Sequence, residues 1–310
     1  MNLLRISDLK TQFPTPDGLV RAVDTIDLSI HEKETVGLIG ETGCGKTVLG
    51  LTLMRLLQSS TTVEGTISYK GTNLLKISEA EMRRIRGAEI AMILQNPTTS
   101  LNPVMRVGGQ IAEAIRLHQG LSKRAAKEKA IEMLDAVRIP SPSIRANEYP
   151  HEFSGGMKQR VMIAMGLACN PSLLIADEPT KGLDVTIKSQ IIRLLKEVTK
   201  ERAMLIITHD LGVARELCDR IALMYAGELV EYATTGEIFE DPLHPYTRGF
   251  LGSLPSNGLV PIPGMSPSLI NLPDGCRFHP RCGHATELCR RKHPDMIEIE
   301  DGHFVRCFHA

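Results

Sequence analysis

Residues 35–47 read Thr-Val-Gly-Leu-Ile-Gly40-Glu41-Thr42-Gly43-Cys44-Gly45-Lys46-Thr47. The stretch Gly40–Thr47 fits G-x-x-x-x-G-K-S/T without deviation. Ahead of it, Thr35–Ile39 is a short apolar run with β-branched residues, the pattern of a strand buried on both faces. Behind it, Val48, Leu49, Leu51, Leu53, Met54 and Leu56 predict a helix beginning near Lys46. In that context the glycines let backbone N–H groups turn inward around a β-phosphate. The helix that follows points its positive end at the same anion. Lys46 then reaches the β- and γ-phosphates, and the Thr47 hydroxyl is placed to ligate Mg²⁺. Gly40–Val48 is therefore the candidate nucleotide site, with ATP and Mg²⁺ as ligands. A glycine turn that binds nothing is the bland alternative, and the flanking strand and helix argue against it.

Further on, Leu173-Leu-Ile-Ala-Asp177-Glu178 is an apolar strand ending in two acids. Asp177, at the carboxyl end, can hold Mg²⁺ through water. Glu178 can polarise the water that attacks a γ-phosphate. Alone, a solvated acidic turn explains this segment equally well. The phosphate loop upstream tips the reading towards chemistry.

Between and around these motifs the periodicity alternates. Leu3–Leu9 and Ala22–Ile30 alternate as strands across the turn-rich Pro14–Gly18. Residues 96–149 pass from Pro/Asn loops to helix, clearest at Lys123–Val137, where Ala126, Ala130, Leu134 and Val137 share one face. Met204–Thr208 and Ile221–Tyr225 are strands again. This is an α/β chain with a largely parallel sheet covered by helices, a small N-terminal antiparallel β part and an inserted helical subdomain. After about Thr235, Pro242, Pro245, Pro255, Pro261, Pro263, Pro267 and Pro273 signal a small, loop-rich C-terminal appendage.

Bulk properties exclude several classes. Basic and acidic residues balance at 36 each and Trp is absent, which argues against nucleic acid as a partner. No apolar run approaches the roughly 18 residues of a membrane span. The N-terminus reads as a strand and not as a signal peptide, so a cytoplasmic chain with reduced thiols is expected.

Phe153-Ser154-Gly155-Gly156-Met157-Lys158-Gln159-Arg160, ahead of the Asp-Glu strand, resembles the signature sequence of ABC ATPases, with Phe for the usual leading Leu. Physically, Ser154 and the N–H groups of Gly155 and Gly156 open a helix and form a second anion site. The resemblance implies that this site, with Gln159, contacts ATP held by a partner subunit, so that ATP joins two subunits. Gln95 resembles the lid glutamine that senses Mg²⁺ and the attacking water. His209 resembles the switch histidine that supports hydrolysis beside Glu178. Lys181-Gly182-Leu183-Asp184 resembles the loop that signals across the dimer, although its first two residues depart from the common small pair. Phe13 matches the adenine-stacking aromatic, usually Tyr, with a core Phe as the rival reading. The resemblance implies a P-loop NTPase fold with a RecA-like core over residues 1–235, including an ABC helical subdomain at about 96–160.

Two further segments resemble ATPases of dipeptide, oligopeptide and nickel importers: Gln95-Asn-Pro97 with Ser100-Leu-Asn-Pro103, and Asp241-Pro-Leu-His-Pro245-Tyr246-Thr247. That likeness implies ATP hydrolysis driving solute import at the cytoplasmic face of the membrane. It implies a second, paralogous ATPase subunit, two separate permease subunits and, indirectly, an extracellular solute-binding protein. A soluble ABC ATPase acting on nucleic acid is the rival of another class, and the chain lacks the long coiled-coil insert usual there. Cys276-x5-Cys282-x6-Cys289-x17-Cys307 sits in residues 236–310, a segment poor in apolar residues, which suggests a liganded centre. Some ATPases of this kind carry a 4Fe–4S cluster on such a tail. Structural Zn²⁺, with His279, His284 or His303 as substitutes, and free thiols both stay open. Cys44, Cys169 and Cys218 read as core or loop residues.

Overall fold

The computed structural model describes residues 2–254, 258 and 260–310; Pro255, among the prolines named above, lies outside them. Its strands are β1 Asn2–Thr15, β2 Gly18–His31, β3 Thr35–Ile39, β4 Thr62–Tyr69, β5 Thr72–Asn73 and β6 Ile90–Ile93. They continue as β7 Leu173–Asp177, β8 Ala203–Thr208, β9 Arg220–Tyr225, β10 Glu228–Thr234, β11 Ile297–Glu300 and β12 His303–Val305. The chain divides into two compact units, Met1–Leu75 with Ile206–Ala310, and Lys76–Leu205; β8 runs across the division.

In the first unit, β1 and β2 form an antiparallel hairpin in which Thr15 faces Gly18. With β4 and β5 it makes a four-stranded sheet in the order β2-β1-β4-β5, the antiparallel part expected from the sequence. Leu4 and Ile6 are buried, and so is Leu9, three positions on. A bulge allows this switch of parity: Asp8 has φ 47° and the register shifts between Ile6 and Leu9. β3 is buried at all five positions and runs parallel to β9, with Leu38 opposite Ala222. Its continuous burial is what an apolar run without alternation requires.

In the second unit, β6 and β7 run parallel, Ile93 opposite Ala176. The helix Lys123–Ala136 starts on Ser122, whose side chain accepts from the Ala125 N–H. Its stripe Ala126, Ala130 and Leu134 is fully buried together with Val137, as the spacing predicts. Parallel core pairs in both units agree with the α/β reading. No helix of the described residues is long and apolar enough to cross a membrane.

The C-terminal part is loop-rich, as expected, with short regular elements set among the loops. It holds helices Thr235–Glu240 and Pro245–Gly252, and an antiparallel hairpin β11–β12 that pairs with β10, Glu231 opposite Val305. Phe278 packs its ring against Tyr225 and Tyr246 at centroid distances of 5.3 and 5.5 Å. Phe278, Tyr246 and Val305 are buried. The segment thus gains order by docking on the β9–β10 region, each such side chain contributing about 1.5–3 kcal/mol. β10 itself carries two buried acids that mask its strand pattern. Glu231 accepts from the N–H groups of Leu243 and His244 and hydrogen-bonds His303, while Glu228 pairs with Arg277 and His293.

Candidate functional site

The loop after β3 has the form its sequence predicts. Gly43 and Gly45 take φ 84° and 110°, and Gly45 caps the helix Lys46–Leu53. At Gly45 a Cβ would stand 2.0 Å from the Ala22 carbonyl oxygen, so only glycine fits. The Lys46 Nζ donates to the carbonyl oxygens of Gly40 and Glu41, both at 2.8 Å. A nearly buried ammonium is thereby held over the loop on neutral carbonyls, which phosphate oxygens can replace. Thr42, Gly43 and Thr47 are exposed, and Val48 is half-buried. Cys44 is buried, and burial pushes its thiol pKa up although Lys46 is near.

Glu41 is tied down by partners that no local motif announces. Its carboxylate forms a bidentate pair with the Arg281 guanidinium at 2.8 and 2.9 Å and accepts from the Ser266 hydroxyl. Its N–H donates to Tyr246 Oη at 3.0 Å. Burial tends to raise the Glu41 pKa, but the hydrogen bonds and charge of Arg281, with Ser266 and Lys46, hold it below the ordinary value. The ring of Phe13 is half-buried on β1 and does not belong to the core. His209 is exposed directly after β8, the neighbour of β3.

In the second unit, Gln95 and the pair Asp177–Glu178 emerge at the carboxyl ends of the parallel neighbours β6 and β7. That is the end at which parallel sheets place ligands. Asp177 is 1% and Glu178 8% exposed. Glu178 has φ 47°, a left-handed conformation that a residue of this kind rarely adopts. Such a backbone turns the carboxylate off the strand line. Ser154 caps the helix Gly155–Leu167, its side chain accepting from the Met157 N–H. Ser154 and Gly155 are exposed and Gly156 is half-buried. A Cβ on Gly156 would meet Ile187 at 2.7 Å, so the helix start lies close on its neighbour. Gln159 departs from its expected place: it is 2% exposed, with its Nε2 lacking a hydrogen-bond partner among the described residues. One turn into the helix, it faces the packed side. Asp184 is exposed and caps the helix Val185–Val198, accepting from the Ile187 N–H at 2.9 Å.

The four tail cysteines converge. Cys276, Cys282, Cys289 and Cys307 line one small cavity with His244 and His309, and all four are free thiols. Burial pushes the Cys276 thiol up to about 11, with Glu228 and the neighbouring thiols adding to it and the Phe278 N–H opposing. Four sulfurs on one pocket form a donor set that suits iron–sulfur or zinc by type. Among the described residues no three His, Cys, Asp or Glu side chains stand close enough together to hold a metal ion. Outside the tail, Cys44 and Cys218 are buried and Cys169 half-buried, in line with structural roles.

Comparison with known proteins gives the same picture from another side. The profile of the ABC transporter family matches residues 23–181. That of the oligopeptide/dipeptide transporter C-terminal region matches residues 230–289. A probable peptide ABC transporter ATP-binding protein of Sinorhizobium fredii is 49% identical, covering 99% of this chain and 95% of that protein. The oligopeptide transport ATP-binding protein OppD of Salmonella typhimurium is 46% identical over 99% of this chain and 93% of its own. The dipeptide transport ATP-binding protein DppD of Bacillus subtilis is 45% identical over 99% and 94%. Among solved structures, the ATP-binding cassette MJ0796, a dimer bound to ADP and phosphate, superposes with a TM-score of 0.68 at 25% identity, covering 75% of this chain and 98% of that one. The chain belongs to the ABC transporter family, among its oligopeptide/dipeptide transport ATP-binding proteins.

Proposed function

We propose that this chain hydrolyses ATP to drive uptake of dipeptides or oligopeptides through separate membrane permease subunits. The observation that carries the reading is one unbroken likeness, through cassette and C-terminal extension alike, to peptide transport ATP-binding proteins at 45–49% identity. The loop Gly40–Val48 binds the phosphates of ATP, Phe13 stacks on adenine, and Thr47, Gln95 and Asp177 hold Mg²⁺. Glu178 orients and deprotonates the attacking water, with His209 and Gln95 in support. Ser154, Gly155 and Gly156 receive the γ-phosphate of a paralogous partner subunit, Gln159 backing that helix from beneath, and Asp184 shapes the loop between the two sites. Residues 1–235 form the ATPase domain, with a helical subdomain at about 96–160, and 236–310 form the extension. The chain works peripherally on the cytoplasmic face of the membrane, supplied by an external solute-binding protein. In cells, Lys46→Ala should abolish uptake of a labelled dipeptide or tripeptide while the protein level holds. Unchanged peptide uptake, or loss of labelled nickel uptake in its place, would overturn the peptide assignment.

The convergence of Cys276, Cys282, Cys289 and Cys307 on one pocket supports a 4Fe–4S cluster, with Zn²⁺ as the alternative. Such a group would cross-link the ends of the extension and supply no electron to hydrolysis. The thiols must lose their protons to bind it, so affinity rises with pH. Protein prepared without oxygen should be brown, with iron and acid-labile sulfide in near-equal amounts, and Cys289→Ser should bleach it. Stoichiometric zinc without iron would replace the cluster with the zinc site.

A further inference from the structure

The signature and strand-end motifs account for the chemistry, yet none of them explains why a residue next to the tail cysteines reaches the phosphate loop. Glu41, the first variable position of that loop, is held by the extension at two of its groups. Its carboxylate is gripped by Arg281 and Ser266, and its N–H by Tyr246. Its remaining backbone group, the carbonyl, accepts from Lys46 Nζ. One residue therefore links the extension to the ammonium that must meet the phosphates. Arg281 is itself fixed. Its guanidinium lies 5.7 Å from the Tyr225 ring centre, and its Nε donates to the Pro263 carbonyl at 2.9 Å. Its side chain is 5% and that of Glu41 25% exposed, so the pair is partly shielded from water. Tyr225 and Tyr246 stand between Phe278 and the loop.

We infer that Arg281 is a positioning residue for ATP binding: through Glu41 it fixes the peptide that aims Lys46, and so preorganises the phosphate loop from the extension. A fixed loop spends less ordering entropy when the nucleotide arrives, which shows as tighter binding. A flexible loop with the same contacts binds more weakly, while the catalytic step past the bound state is left alone. The role differs from a general contribution to folding, because a bidentate pair depends on fork geometry that Lys reproduces only in charge. It also assigns the extension a part in the cassette's own chemistry, beyond the transporter it is read to serve. The inference rests on the reading of Gly40–Thr47 as the ATP site, and Lys46→Ala serves as the separate control for that reading.

The test uses the full-length chain, Mg²⁺ and a fluorescent ATP analogue, with a thermal melt for each variant. Arg281→Ala and Glu41→Gln should each weaken binding roughly tenfold, the scale of a lost charge-assisted pair. Arg281→Lys should fall between them and the wild type. The double variant Arg281→Ala/Glu41→Gln should bind no worse than either single one, since both remove the same link. ATPase assays of Arg281→Ala should show KM raised with kcat within about twofold, the pattern of lost binding and not of lost chemistry. Glu41→Gln is nearly isosteric, lies outside the extension and keeps the tail intact, so it tests the link even if Arg281→Ala loosens the fold. Unchanged affinity in Glu41→Gln, or losses that add in the double variant, would overturn the role of Arg281. Retained binding in Lys46→Ala would instead overturn the loop as the ATP site.

Discussion

Glu178→Gln should bind ATP as the wild type does and hydrolyse it some 10²–10⁴ times more slowly, the range a positioned general base contributes. On the proposed assignment the phosphate contacts come from the loop after β3 and from Lys46, so binding should survive, while the amide could no longer take the proton of the attacking water. The structure supports this division: Glu178 is nearly buried at the end of β7 and has a left-handed backbone. Gln has the same shape and can keep that backbone, so the loss is chemical. With ATP and Mg²⁺ the variant should also accumulate as a two-cassette complex, since the nucleotide that joins the subunits is no longer consumed. Light scattering on the chain, alone and mixed with the proposed partner cassette, would read this out, and adding Ser154→Arg should dissolve the complex by blocking the exposed helix start. Hydrolysis near the wild-type rate would remove Glu178 from its role.

Gly45→Ala is expected to lose ATP binding and much of the stability of the first unit. The added Cβ meets the Ala22 carbonyl oxygen at 2.0 Å and Met224 Cε at 2.7 Å, on a backbone at φ 110°. The backbone oxygen belongs to a bulge of β2 at Ala22, whose neighbours Arg21 and Val23 pair with Gln12 and Thr11 of β1, so it cannot yield without disturbing those pairs. Left-handed strain and forced overpacking each cost on the order of 1–3 kcal/mol, so about 2–6 kcal/mol is lost. Calorimetry would show the melting temperature down by several degrees, and nucleotide would give no recovery. Gly43→Ala is the comparison, because no atom lies within 4 Å of its added Cβ and its φ of 84° alone is unfavourable. A wild-type melt for Gly45→Ala would mean that the loop has room it does not show.

Much of this was written locally in the chain. β3, β7 and β8 are buried on both faces, so their sequences are apolar without interruption and their ends carry the reactive groups. The helix 123–136 declares itself by spacing, and its cap by Ser122. β6 was illegible because four residues, Ile-Ala-Met-Ile, are too few to show a period. β10 was hidden for another reason: Glu228 and Glu231 look like surface residues until their partners arrive from positions 277, 293 and 303. The tie between Glu41 and Arg281 spans 240 positions, and no local pattern announces a pairing of that range. The bulge at Asp8 explains why alternation along β1 changes parity midway.

The two glutamates of β10 also set a rule of inheritance. Glu231 is fully enclosed and Glu228 nearly so, and each depends on side chains that follow it by 49 or more positions. A carboxylate enclosed without its partners is among the most expensive defects a fold can carry. A lineage that exchanged this tail for a shorter one would have to replace both acids in the same step, and a lineage that mutated His303 first would leave Glu231 with backbone N–H donors and no side-chain counterpart. Cutting the tail ahead of His293 and His303 would therefore leave both carboxylates enclosed in the sheet without those partners.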